Sequence, residues 1–81
     1  MIKVLFFAQT RELIGVDEIA ITESFANVEE VRQYLSAKGE KWALALDKEK
    51  LLVAINQTLA SLESEVQNGD EIAFFPPVTG G

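Results

Sequence analysis

The sequence contains no cysteine and no histidine. Their absence removes disulfides, thiolate nucleophiles, the usual zinc ligand sets and the side chain best suited to proton transfer near neutral pH. Basic residues are few: seven Lys and Arg stand against thirteen Asp and Glu, a net charge of -6. Phosphate backbones are held by clustered Lys and Arg, and these seven are scattered, so nucleic acid is not an expected partner. A basic protein surface fits better, although a negative charge also serves solubility alone. There is no GxGxxG, no P-loop and no serine-centred elbow, which leaves nucleotide binding by this chain without support. No apolar run is long enough to span a bilayer, and the opening MIKVLFFA has neither a basic leader nor a small-residue cleavage site. The expectations are therefore a cytoplasmic protein with no membrane contact, no metal and no cofactor bound by this chain.

What is present suits one small folded unit. Hydrophobic residues make up 48% and charged residues 25% of 81 positions, enough for a single modest core. MIKVLFFA alternates and is rich in β-branched and aromatic residues, which predicts a first strand. Thr10–Gly15 reads as a short helical turn with a hydroxyl at its start and a glycine at its stop. Asp17–Thr22 sets Ile19 and Ile21 on one face, a second strand antiparallel to the first. Asn27 followed by Glu30 is a capping-box variant, and Val28, Val31 and Leu35 form the apolar stripe of a helix ended by Lys38 and Gly39. KWALAL is a further helical turn, LLVAI a strand, Asn56–Thr58 a turn into a short strand at Leu59 and Ala60, and Asn68-Gly69-Asp70 a tight turn into a last strand, EIAFF. The first and last strands are the most apolar and are expected side by side, in parallel, at the centre of the sheet. The fold class is α+β: a β-grasp roll, a mixed sheet with one long helix packed on one face.

Side chains in a sheet alternate between faces. With Ile2, Val4 and Phe6 turned to the helix, Lys3, Leu5 and Phe7 point away. With Ile72 and Phe74 turned in, Glu71, Ala73 and Phe75 join them on the outer face. An apolar patch results there, whereas a bulge or a shifted register would bury Phe7 and Phe75 instead. The thirteen carboxylates show no shared spacing beyond Glu29-Glu30 and Asp70-Glu71, and adjacent residues do not face one another, so a solvated acidic surface is the expected reading rather than an acid–base pair.

The chain closes on FFPPVTGG. Residues 1–75 form the expected domain and 76–81 an extended tail. Pro76 and Pro77 stiffen its root, Val78 and Thr79 continue it, and Gly80 and Gly81 make a tip without Cβ atoms. Such a tail reaches roughly 20 Å from the body. Its slim end can carry the Gly81 carboxylate into another protein's active site as a deliverable acyl group, once a partner has activated it, for example by adenylation. Displacement of AMP by a sulfide equivalent gives a thiocarboxylate; displacement by an amine or thiol of a protein gives a conjugate.

A β-grasp order ending in NGDEIAFFPPVTGG resembles the ubiquitin-like sulfur carriers. MIKVLFFAQTREL, KWALAL, LLVAINQT and FFPPVTGG together resemble the molybdopterin synthase small subunits across essentially the whole chain. The resemblance implies that Gly81 is adenylated by a ubiquitin-activating-like adenylyltransferase, which consumes ATP, and is converted to a thiocarboxylate. It implies insertion of the tail into a large synthase subunit within a heterotetramer, where sulfur passes to cyclic pyranopterin monophosphate. The pterin would be met only through that partner, and two loaded carriers would be used for each dithiolene. The resemblance also implies that Phe7, Leu59 and Phe75 make the hydrophobic contact with both partners and that Arg11 adds a polar contact to the activating enzyme. The competing expectations are sulfur supply for thiamine or a tRNA base, a ubiquitin-like modifier joined to lysines through Gly81, and an interaction module with an inert tail.

Overall fold

The computed structural model describes residues 1–77, the side chain of Lys50 aside. Five strands run β1 (Ile2–Phe6), β2 (Glu18–Ile21), β3 (Leu52–Ile55), β4 (Thr58–Ala60) and β5 (Glu71–Phe75), interleaved with helices α1 (Ala8–Ile14), α2 (Val28–Ser36) and α3 (Glu40–Ala45) and a 3-10 turn at Lys48–Lys50. They form one sheet in the order β2-β1-β5-β3-β4. β1 and β5 lie parallel with Val4 beside Ile72, and β2 runs antiparallel to β1 with Ile19 opposite Val4. β3 is antiparallel to both β5 and β4. This is the expected β-grasp arrangement, with the two most apolar strands inside the sheet.

The core follows from the alternation. Ile2, Val4 and Phe6 of β1 and Ile72 and Phe74 of β5 are at most 2% exposed. Val28, Val31 and Leu35, spaced three and four apart along α2, complete the same cluster from the helix side. Phe6 stacks near Phe74 with ring centroids 6.4 Å apart and meets Trp42 of α3 edge-on at 5.7 Å.

Local signals explain the element ends. The Asn27 side chain accepts from the Glu30 N–H at 2.9 Å and so caps α2. The Glu30 carboxylate reaches back to the Ala26 N–H at 2.9 Å, one residue before the position a standard capping box uses. Arg32 holds Glu29 with two hydrogen bonds, from Nε at 2.7 Å and Nη2 at 2.6 Å, and donates from Nη1 to the Leu46 carbonyl at 2.9 Å. That fork pins the end of α3 to α2 and holds the Glu29 carboxyl down at about 2.

Several expectations are corrected. Three helices pack with the sheet, not one long one; α2 is the longest at nine residues. The turn expected at Thr10–Gly15 is a full helix beginning at Ala8, and Thr10 is a buried interior residue instead of its cap. The residue before α1 is Phe7, which makes no side-chain cap. Ala8 follows with φ 54, a left-handed conformation that turns the chain sharply from strand to helix. Gly15 ends α1 as expected, with φ 90 and its N–H on the Arg11 carbonyl at 2.8 Å. Leu51, read as strand, lies outside β3, and the second strand is trimmed at both ends. Among the described residues no helix is long and apolar enough to cross a membrane.

Candidate functional site

The helices gather on one side of the sheet, and the other side carries an apolar band. Leu5 lies beside Ala73, Ala73 opposite Ala54, and Ala54 opposite Leu59, so these four side chains form one row across four strands. At normal strand spacing the two leucines stand roughly 14 Å apart, with two alanines making a shallow trough between them. The next row holds Phe75 opposite Leu52. Phe7 extends β1 by one position, its N–H donating to the Phe74 carbonyl at 3.2 Å, which sets it alongside Phe75. Leu59 is 70% exposed, Phe7 46% and Leu52 37%, while Phe75 is half-buried. Lys3 and Glu71 pair in register on the far side of the leucine–alanine row and give the band a polar edge.

A two-residue turn places Leu59 on this face. Asn56 and Gln57 take φ 50 and 70, left-handed at both positions, and pair Ile55 with Thr58. Leu59 must then share its face with Ala54. The Asn56 side chain accepts from the Glu71 N–H at 3.0 Å and donates to Asp70 Oδ1 at 3.0 Å, while its own N–H reaches the Glu71 carbonyl at 2.8 Å. This fastens the hairpin turn to the start of β5 and keeps Leu59 in register with Ala73. Asn56 combines a tolerance for the left-handed region with a side chain able to bond backbone.

The sequence reading placed Phe7, Leu5, Ala73 and Phe75 outward, and the structure brings them together, without the bulge that would have buried Phe7. Leu59, singled out by resemblance alone, joins them through the register. Leu52 and Ala54 were missed. Arg11 stands on α1, exposed, one helical turn beyond Phe7, whose carbonyl accepts the Arg11 N–H at 3.4 Å. Pro76 and Pro77 continue from β5 at the border of the apolar band. Val78, Thr79, Gly80 and Gly81 lie outside the described residues.

The site is thus an apolar sheet face beside Pro76 and Pro77, on a ubiquitin-like β-grasp scaffold. Its central rows are apolar side chains, and the charged Lys3 and Glu71 lie at its edge. The chain belongs to the ThiS family, whose profile matches residues 4–81. It is 73% identical to the molybdopterin synthase sulfur carrier subunit of Haemophilus influenzae over 81 residues, all of both chains. Among solved structures it is similar to small archaeal modifier protein 1 of Methanosarcina acetivorans, with TM-score 0.80, 27% identity and coverage of 99% of this chain and 95% of that one. It is also similar to a chain in the complex of subunits 1 and 2 of the molybdopterin-converting factor of Helicobacter pylori, with TM-score 0.66, 27% identity and coverage of 99% and 97%.

Proposed function

We propose that this chain is the sulfur-carrier subunit of a molybdopterin synthase in the cytoplasm. The observation that carries the reading is the bare apolar face of Leu5, Ala54, Leu59, Ala73 and Phe75 lying at the root of the tail. The family match and the full-length similarity to a named sulfur carrier support it. In this reading the face supplies affinity and the tail supplies chemistry.

The carrier cycle uses only the main-chain end of the protein. The Gly81 carboxylate attacks the α-phosphorus of ATP on the activating enzyme; pyrophosphate leaves and an acyl adenylate remains. A sulfide equivalent attacks the acyl carbon, AMP leaves, and a thiocarboxylate results. Docked on the large synthase subunit, the sulfur bonds to a side-chain carbon of cyclic pyranopterin monophosphate as that carbon's C–O bond breaks, the displaced oxygen leaving as water or staying on the phosphate. Water then cleaves the acyl–sulfur bond and restores the carboxylate. Two carriers serve each dithiolene because each brings one sulfur. Phe7, Leu59 and Phe75 anchor both partners, Arg11 contacts the activating enzyme, and Pro76 to Thr79 fill the channel that leads Gly80 and Gly81 to the reacting atoms. The absence of Cys and His suits a carrier whose catalytic side chains belong to its partners.

The test is the intact mass of the chain after incubation with ATP, a sulfur source and the activating enzyme of the same cell. Replacement of one oxygen by one sulfur, lost when Gly81 is deleted, is the expected result. An unchanged mass, with an activating enzyme that loads a known carrier, would overturn the mechanism.

The likeness to an archaeal modifier protein favours a second reading, conjugation through Gly81 to lysine amines. The same activated acyl group would serve it. Covalent adducts of the chain on cellular lysines, absent from a Gly81 deletion, would select this reading over sulfur transfer.

A further inference from the structure

A second apolar surface begins where the first one ends. Phe7 and Phe75 belong to the sheet band, and the residues that follow them, Ala8 and Pro76, belong to a groove on the helix side of the molecule. The groove, about 730 Å3, runs between α1 and α3 and is lined by Ala8, Leu13, Leu44, Ala45, Pro76 and Pro77, with the polar Gln9 and Thr10 beside them. Leu13 is 44% exposed and Leu44 69%, values that match Phe7 and Leu59 of the band. The core explains neither leucine: Ala45 and Leu46 beside Leu44 are buried, whereas Leu44 stands clear.

We propose that this groove is a second docking surface for the large synthase subunit, which inserts an apolar side chain between Leu13 and Leu44. The proposal rests on the reading of the chain as that synthase's carrier subunit. Three observations support it. The groove is continuous with the sheet band through Phe7-Ala8 and Phe75-Pro76, so a protein that encloses the tail down to Pro76 must cover the groove's mouth. The sheet band offers seven side chains, Leu5, Phe7, Leu52, Ala54, Leu59, Ala73 and Phe75, and the tail six residues. Specific protein interfaces bury roughly 20–30 residues a side, so a large subunit that grips the carrier needs more surface than band and tail supply. Finally, Ala8 holds φ 54 at the seam, a conformation that persists in a non-glycine residue only where the surroundings impose it. Here it throws Phe7 onto one surface while starting the helix that carries Leu13 to the other.

The test measures binding of the purified large subunit to the full chain by calorimetry, for wild type, Leu44→Asp and Leu59→Asp. Melting curves recorded beside it show that each variant is folded. Leu44→Asp is expected to weaken the complex at least tenfold with an unchanged melt. In the wild-type complex, cross-saturation from the large subunit should reach the Leu13 and Leu44 methyl groups, a readout that needs no variant. Binding lost with Leu59→Asp but kept with Leu44→Asp, with no saturation at Leu13 or Leu44, would overturn the groove and leave the carrier reading intact. No binding by the wild type would overturn both. A wild-type chain that sediments as a dimer, with Leu44→Asp a monomer of full affinity for the large subunit, would also overturn the proposal, since the groove's occupant would be a second copy.

Discussion

β5 sends alternate residues of one apolar segment to opposite fates. Ile72 and Phe74 are fully buried beneath the helices, while Ala73 and Phe75, between and beside them, face outward and keep part of their surface in contact with water. The same division runs across the sheet: Val4, Val53 and Phe74 point inward, and Leu5, Ala54 and Ala73 point outward. Composition does not separate the two sets, for both are apolar. The inner set is satisfied within the chain, and the outer set leaves apolar surface open to water. In the proposed reading the faces of one sheet divide folding from docking, and substitutions on them should separate the two experimentally.

The largest effect on folding is expected from Phe74→Ala. The side chain is wholly buried against Phe6, and its removal leaves a cavity that costs about 3–5 kcal/mol. A domain of this size has little more stability than that to lose. Urea unfolding followed by circular dichroism should show a collapse of the midpoint. A midpoint close to wild type would mean that the inner face is not the folding face.

Asn56→Ala comes next, and it links the two faces. It deletes two side-chain hydrogen bonds, one to Glu71 of β5 and one to Asp70 just before it, and it removes a residue suited to φ 50. A loss of about 1–3 kcal/mol is expected. Because the hairpin sets the register of Leu59, partner affinity should fall along with the melt. Asn56→Gly, which keeps the turn and drops the bonds, should recover only part of the stability.

The Glu29–Arg32 fork lies on the helix side, away from the docking face, and gives a pH signature. The folded Glu29 carboxyl sits at about 2 against an ordinary 4.5. Its contribution is complete above pH 4.5 and is lost as the pH falls toward 2. Solvent reaches the pair, so the contribution is about 1–2 kcal/mol, below what the full shift would give. Stability measured across that window should fall more steeply for the wild type than for Glu29→Gln. Parallel curves would show that the fork is not the source of the acid sensitivity.

The inner face was legible in the sequence because its signals are local. Asn27 announces α2 with a side chain that makes the expected bond, and the Val28, Val31, Leu35 spacing fixes the buried stripe. The parallel β1–β5 pair followed from two strongly apolar strands. The outer face was legible only where alternation could be started from a known inward residue, as in β1 and β5. LLVAI is apolar at every position, so its pattern does not say which residues face out; the two-residue Asn56-Gln57 turn fixes that, and Leu52 and Ala54 follow from it. The start of α1 was missed for a different reason. Phe7 makes no cap, and Ala8 adopts a left-handed conformation that nothing about alanine advertises.

Leu59→Asp should have the smallest effect on folding and so is the sharpest test of the comparison. The side chain is 70% exposed on the edge strand β4, opposite Ala54, where a carboxylate stays hydrated. Its effect on unfolding should lie within about 0.5 kcal/mol, as for surface positions without special geometry. Docking should respond in the opposite way, because an apolar partner surface closing over the Leu5–Leu59 trough would have to bury an unpaired charge, which costs several kcal/mol of binding. The pair of numbers, near zero for folding and large for the complex, is what an outward face reserved for a partner requires. If Leu59→Asp unfolded the chain, the band would be core that happens to be thinly covered. If it changed neither stability nor partner binding, the docking face would lie elsewhere on the molecule.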